Sequence, residues 1–352
     1  MSHNINRQWR LANRPKGMVQ ETDFAYHEAP IPELQAGQFL VRNLYIAFAP
    51  AMRGLLRDRR GLLRDRQSQI ATVQIGEVMR ASCVGQVVAS RHPDFHPGDF
   101  VRGTFGWQDY MATSGDGMRP TTKLAPSVPL TMPLSVLGNT GLTAYFGLLD
   151  IGRPQAGDTV VVSGAAGATG SIAGQIAKIH GCRVIGIAGG PEKCAWLAGE
   201  AGFDAAIDYK AQPVEQKLRQ LCPEGINVFF DNVGGDILDA ALAVIAMQAR
   251  IVLCGGISRY NEETLPPGPK NYFNLMLQRG RMEGFNTLDY TPRFAEAEHA
   301  LNRWITAGTL KYKEDIQEGF MNAPKTLLRL FEGKNFGKQL LKIADPPLGG
   351  TS

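Results

Sequence analysis

From Thr159 to Phe285 the chain alternates short apolar runs with helix-length segments, and no other feature restricts its fold as tightly. The strand-like runs are Thr159–Ser163, Arg183–Ala188, Ala205–Asp208, Ile226–Phe230, Arg250–Cys254 and Met282–Phe285. Between them the periodicity predicts helices over Ser171–His180, Pro191–Ala201, Val214–Cys222, Ile237–Met247 and Asn271–Gln278. A strand that is apolar on both faces cannot sit at a solvent boundary. Such strands, joined by helices, imply a parallel sheet covered on both sides. Six of them match the count of a doubly wound nucleotide-binding sheet.

The first 125 or so residues read differently. Phe39–Tyr45 and Val84–Ala89 are β-branched and apolar, and Pro97-Gly98-Asp99 is a turn leading into Phe100-Val101. Helical periodicity is weak there, which predicts a mostly β unit. After the helix-like Arg293–Thr306 the chain turns irregular until a last strand over Lys338–Ile343. The expected division is therefore a β domain over residues 1–130, an α/β domain over 131–310, and a return to the first domain over 311–352. One local repeat stands apart: Arg53–Arg59 recurs unchanged as Arg60–Arg66. It reads as a tolerated surface insertion, since lengthening a loop costs little.

Composition removes several classes of function. With 37 Lys+Arg against 33 Asp+Glu, the net charge of +4 is too balanced for nucleic acid or an anionic membrane as partner. No run approaches the roughly 18 apolar residues of a membrane span, and the polar start lacks the apolar core of a signal peptide. The 5 cysteines include no CxxC pair, so they read as small buried apolar residues of a reducing cytosol. A cytoplasmic protein with a large core of its own is expected.

The 40 glycines concentrate the functional signal. Val160-Val-Val-Ser-Gly-Ala-Ala-Gly-Ala-Thr-Gly170 is a strand, then Gly164, Gly167 and Gly170, then a helix. Gly167 lets backbone N–H groups approach a pyrophosphate, and Gly170 lets helix and strand pack closely. The phosphate charge then lies at the positive end of the helix. The second strand selects the nucleotide. It ends Ala188-Gly189-Gly190-Pro191-Glu192-Lys193, with glycines where an NAD site carries an acid. Lys193 supplies charge for a 2′-phosphate, so NADPH is expected over NADH.

These segments, with Asp231-Asn-Val-Gly-Gly235, Cys254-Gly-Gly-Ile-Ser-Arg-Tyr260, Leu265-Pro-Pro-Gly-Pro269 and Gly333-Lys-Asn-Phe-Gly-Lys338, resemble the zinc-independent medium-chain dehydrogenase/reductases. The similarity is to members of the prostaglandin reductase, curcumin reductase and plant double-bond reductase type, over about Trp9 to Ile343. The resemblance implies an α/β fold in which a GroES-like, mostly β domain accompanies a Rossmann doubly wound parallel-sheet domain, usually as a homodimer. It implies NADPH-dependent reduction of the C=C bond of small α,β-unsaturated ketones and aldehydes. By matching position, Gly164, Gly167, Ala168, Thr169 and Gly170 would hold the pyrophosphate. Gly189, Lys193 and Tyr209 would take the 2′-phosphate. Asn232, Cys254, Gly255, Gly256, Ile257, Ser258, Phe285, Asn286 and Thr287 would lie along the nicotinamide, and Asn335 would reach the cofactor from the tail. Met52 and Arg53 belong to a segment that borders the substrate cleft in the family. Its Asp-Pro is Ala49-Pro50 here.

The residues agree on the chemistry. Zinc dehydrogenases of this kind carry Gly-His-Glu where this chain reads Gly76-Glu77-Val78, and its six histidines are not at ligand spacing. No metal site is expected. Without a Lewis acid, direct carbonyl reduction lacks its electrophile, whereas hydride addition to an enone leaves an enolate that a hydrogen-bond donor can stabilise. Tyr260, after the fifth strand, is the candidate donor. From the residues alone it is equally a tyrosine packing on Pro266 and Pro267. Tyr45, Phe105, Trp107 and Tyr110 could form an apolar wall for substrate, although most aromatics are core. A quinone reductase on the same scaffold, or a non-catalytic NADPH-binding redox sensor, remain alternatives.

Overall fold

The computed structural model describes residues 5–57, 72–117, 119–264 and 266–347. The chain divides into two units. One takes the N-terminal part up to Leu134, Asp315–Lys334 and the chain from Gln339. The other takes Ser135–Glu314 with Asn335–Lys338. The second copy of the tandem heptad lies outside the described residues.

The first unit opens with an antiparallel pair, β1 (Ile5–Leu11) and β2 (Phe24–Pro30). Then come β3 (Phe39–Ala47), the one-turn α1 (Met52–Leu55), β4 (Ser82–Ser90), β5 (Phe100–Thr104), β6 (Tyr110–Thr113) and β7 (Thr122–Lys123). β3 is apolar on both faces because both are covered: Phe39, Val41, Leu44 and Ile46 are all fully buried. The core centres on Trp107, whose ring lies 5.1 Å from those of both Phe24 and Phe48. Burying one large apolar side chain contributes about 1.5–3 kcal/mol, so these positions dominate the stability of the unit.

The second unit begins with α2 (Asn139–Phe146), which runs into a π-turn over Gly147–Gly152. The alternating part follows as β8 (Thr159–Ser163), α3 (Ala168–Ile179), β9 (Arg183–Ala188), α4 (Pro191–Gly199), β10 (Ala205–Asp208), α5 (Val214–Leu221), β11 (Ile226–Asp231), α6 (Gly235–Leu242), β12 (Ile245–Leu253), α7 (Asn274–Leu277), β13 (Arg281–Gly284) and α8 (Phe294–Thr306). The six strands pair in the order β10-β9-β8-β11-β12-β13, all parallel. The order reverses between β8 and β11, which is the switch point where such sheets bind ligands at their carboxyl edge.

The tail supplies β14 (Glu314–Glu318), α9 (Ala323–Phe331) and β15 (Lys338–Lys342). β14 and β15 finish the first sheet in the order β14-β15-β3-β4-β5-β7, with β6 also on β3. The mostly β plus Rossmann architecture is thus the one found. Two elements differ from the periodicity. The helix expected to Met247 stops at Leu242, and β12 begins at Ile245 with a kink at Gln248, where φ is +58°. Val244 and Ile245 are buried just past the end of the helix, so the apolar run continues across the turn and its spacing does not show where the chain leaves the helix. Asn271–Gln278 is a 3-10 turn over Lys270–Phe273 followed by the single turn α7.

Candidate active site

The turn between β8 and α3 requires its glycines for separate reasons. Gly164 has φ +57°, a left-handed conformation that other residues adopt at a cost. Its carbonyl accepts the Gly167 N–H at 2.9 Å and closes the turn. A Cβ on Gly170 would sit 2.5 Å from the Gly164 oxygen, and one on Gly167 would sit 3.1 Å from it. Ala168 and Thr169 form the first turn of α3, and no side chain caps that helix at Gly167. Bare backbone with uncapped N–H groups at a helix start fits a pyrophosphate.

At the end of β9, Gly190 has φ +96° and its N–H donates to Asp208 Oδ1 at 2.9 Å. The same oxygen accepts the Lys210 N–H at 3.0 Å, so main-chain donors hold the nearest carboxylate. Tyr209 is exposed and its ring lies against Gly189. A Cβ there would be 2.8 Å from Tyr209 Cε1 and 3.0 Å from Lys210 Cε. Glycine at 189 is what admits both side chains. Lys193 is half-buried in the first turn of α4, and Glu192 is exposed. Lys210, which sequence reasoning passed over, puts a second cation at this strand end. Its signal was its place two residues after the third strand.

Asn232 follows β11. Its Nδ2 donates to the Ser163 carbonyl at 2.7 Å, which ties it to the strand before the glycine turn. From β12 the chain runs through Cys254, Gly255 and Gly256 into a 3-10 turn over Ile257–Arg259, and Tyr260 caps that turn. The Tyr260 phenol folds back so that its oxygen accepts the Gly256 N–H at 3.3 Å. A Cβ on Gly255 would stand 3.2 Å from that oxygen. Ser258 Oγ donates to the Val233 carbonyl at 2.6 Å. Burial pushes the Cys254 thiol up to about 12, which keeps it protonated. Beyond β13, the Phe285 ring lies over Gly147, where a Cβ would be 2.5 Å away. Asn286 Oδ1 accepts the Leu288 N–H, and Thr287 Oγ1 donates to Asn139 Oδ1, both at 3.0 Å. These three side chains have structural partners.

The tail reaches the same edge. Gly337 N–H donates to the Ala166 carbonyl at 3.0 Å, and Gly337 bridges to Gly167 in parallel fashion. Asn335 sits two residues earlier, and its Nδ2 donates to the Gly337 carbonyl at 3.1 Å. Residues 254–260, 232 and 335 thus come to the carboxyl edge of the sheet that carries the glycine turn.

In the first unit, Tyr45 is half-buried on β3 and packs with Ala47, Val84 and Leu340. Met52 is a core residue, and the Arg53 guanidinium is buried and donates to the Pro15 and Gly17 carbonyls at 3.1 Å. Phe105 and Trp107 are core, while Tyr110 lies under the Arg42 guanidinium at 4.6 Å. Among the described residues no group of three or more His, Cys, Asp or Glu could hold a metal ion.

Comparison with known proteins places these features. Residues 7–121 match the family described as the N-terminal domain of oxidoreductase, and residues 168–303 match that described as zinc-binding dehydrogenase. The chain is 41% identical over 346 residues to the NADPH-dependent curcumin reductase of Escherichia coli, covering 96% of this chain and 97% of that protein. It is 36% identical over 348 residues to the NADP(+)-dependent 2-alkenal reductase of Nicotiana tabacum, covering 96% and 98%. The crystal structure of CurA from Vibrio vulnificus in complex with NADPH superposes with a TM-score of 0.90 at 41% identity, covering 97% of this chain and 100% of that one. The chain belongs to the zinc-independent medium-chain dehydrogenase/reductases of the curcumin reductase and prostaglandin reductase type.

Proposed function

We propose that this protein is an NADPH-dependent reductase of the C=C bond in small α,β-unsaturated ketones and aldehydes. NADPH, when bound, supplies the hydride; the remaining work falls to residues of this chain. The uncapped start of α3 with Gly164, Gly167, Ala168, Thr169 and Gly170 binds the pyrophosphate. Lys193, in the first turn of α4, and Tyr209, whose ring lies over Gly189, bind the 2′-phosphate. Backbone from Cys254 to Ser258 and from Phe285 to Thr287, with Asn232 and Asn335, orients the nicotinamide end.

The observation that carries the reading is the Tyr260 phenol, set on the backbone of Gly255 and Gly256 at the switch-point edge. An oxygen that accepts an N–H bond is a stronger O–H donor. Hydride addition at the β-carbon moves negative charge onto the substrate's carbonyl oxygen. A phenol there stabilises the enolate, and a proton taken from solvent adds at the α-carbon to give the saturated product. No metal takes part: Gly76-Glu77-Val78 stands where zinc relatives carry a ligand. The unit made of the chain up to Leu134, Asp315–Lys334 and the chain from Gln339 serves as the substrate domain, with Tyr45, Met52 and Arg53 in it, and the unit of Ser135–Glu314 with Asn335–Lys338 serves as the NADPH domain.

We assign a cytoplasmic homodimer. Among the described residues no helix is long and apolar enough to cross a membrane. β13 is a sheet edge with every residue exposed, flanked by exposed Tyr272, Phe273, Met276 and Leu277. Such an edge beside an apolar patch is suited to pairing with a second copy.

Steady-state assays with an enone, an enal and a quinone, each with NADPH and with NADH, test the reading. Turnover of enone and enal with NADPH is expected to dominate. A large preference for the quinone, or tight NADPH binding without any turnover, would overturn it.

A further inference from the structure

Ser163 and Asp231 end the neighbouring central strands β8 and β11, and both have 0% exposure. The reaction above uses neither. Ser163 Oγ donates to Asp231 Oδ1 at 2.7 Å and accepts the Asn232 N–H at 2.8 Å. The Asp231 carboxylate also accepts the N–H groups of Val233 and Gly234, each at 3.0 Å. These two side chains therefore fix the shape of residues 231–234.

That short segment in turn carries the Tyr260 loop. The Asp231 carbonyl accepts the N–H groups of Cys254 at 2.9 Å and Gly255 at 3.0 Å. The Asn232 carbonyl accepts the Ile257 N–H at 3.3 Å, and the Val233 carbonyl accepts the Ser258 N–H at 3.2 Å as well as its hydroxyl. Five donors between 254 and 258 thus land on three consecutive carbonyls, next to the residue that begins the glycine turn. A buried, charge-assisted network of this kind keeps one geometry because any partner left alone is costly.

We propose that the Ser163–Asp231 pair is a positioning device that holds the Tyr260 loop in register with the nucleotide turn. This rests on the reading of Tyr260 as the donor to the substrate. Ser163 and Asp231 touch no reacting atom; they act through the main chain of 231–234 and 254–258.

The test pairs Ser163→Ala and Ser163→Thr with Tyr260→Phe and reads two quantities. In the protein without added nucleotide, Ser163→Ala should speed amide hydrogen exchange at Cys254 and Gly255 about tenfold or more, while Ala300 and Leu301 in α8 stay protected. Ser163→Thr, which keeps the hydroxyl, should restore protection. In turnover, Ser163→Ala should lower kcat about tenfold when Tyr260 is present and less than about twofold in the Tyr260→Phe background. If Ser163→Ala does not fold, Ser163→Cys, which keeps the volume and weakens the bond, makes the same comparison. Unchanged exchange at 254–255, or an equal fall in kcat in both backgrounds, would overturn the proposal. If Tyr260→Phe alone leaves kcat unchanged, the donor role fails, and the exchange arm still decides whether the pair holds the loop.

Discussion

Lys193 lies in the first turn of α4, just past β9, and Tyr209 packs on Gly189 from beyond β10, while the space beside Gly190 is open where an acidic side chain would repel a phosphate. Lys193→Ala should raise the KM for NADPH roughly tenfold and leave that for NADH nearly unchanged, since a lysine on phosphate acts as a point charge. Equal effects on both nucleotides would remove its assignment. The thiols carry a different consequence. Burial pushes Cys83 and Cys254 up to about 12 and Cys182 and Cys222 up to about 11, and Cys194 moves the same way. Only a thiolate adds readily to an enal. Titration with a chromogenic thiol reagent at pH 7 should find the native cysteines slow and all 5 reactive after denaturation. Lys338 works in the opposite direction, because burial pushes its ammonium down to about 8 from the ordinary 10.5. A folded pKa below the unfolded one penalises folding at low pH, and the penalty fades as pH rises from about 8 to 10.5. Wild type should therefore gain Tm relative to Lys338→Met over that window; a constant difference would contradict the shift.

At the scale of elements, the glycine turn and the strand ends were written into the sequence, while the links between them were not. β8, β9 and β10 keep the boundaries that their apolar runs imply; in β8 and β9 this follows because all but the first residue are buried on both faces. The turn was legible because only glycine satisfies both a positive φ at 164 and a close approach at 170. Gly170→Ala should cost about 1–3 kcal/mol, as overpacking against backbone does, and should weaken NADPH binding measured by titration calorimetry. An alanine variant that binds normally would show the turn to be looser than it is here. By contrast, α2 and α9 went unread, the first being short and followed by a π-turn that breaks helical spacing. The bond between Ser163 and Asp231 has no sequence signal until β8 and β11 become neighbours, 68 residues apart in the chain. Lys210 is set apart from other lysines by its side chain against Gly189.

The whole molecule joins two cores with different demands. The first unit buries Asp109 under two guanidiniums: Arg7 binds it through Nε at 2.7 Å and Nη2 at 3.0 Å, and Arg42 Nη1 lies 3.2 Å away. Asp109 is buried while both guanidiniums are partly exposed, so Asp109→Ala, which removes charge-assisted hydrogen bonds, should lower unfolding free energy by roughly 1.5–3 kcal/mol in urea. A loss below about 1 kcal/mol would place the pair among exposed ones. The second unit carries the residues of the proposed chemistry, in which hydride reaches an olefinic carbon and a tyrosine, not a metal, answers the charge. The most direct measurement is the product formed from an enone and NADPH after exhaustive chelation, identified by NMR. We expect the saturated ketone, at the rate seen before chelation; an allylic alcohol, or turnover abolished by the chelator, would contradict it.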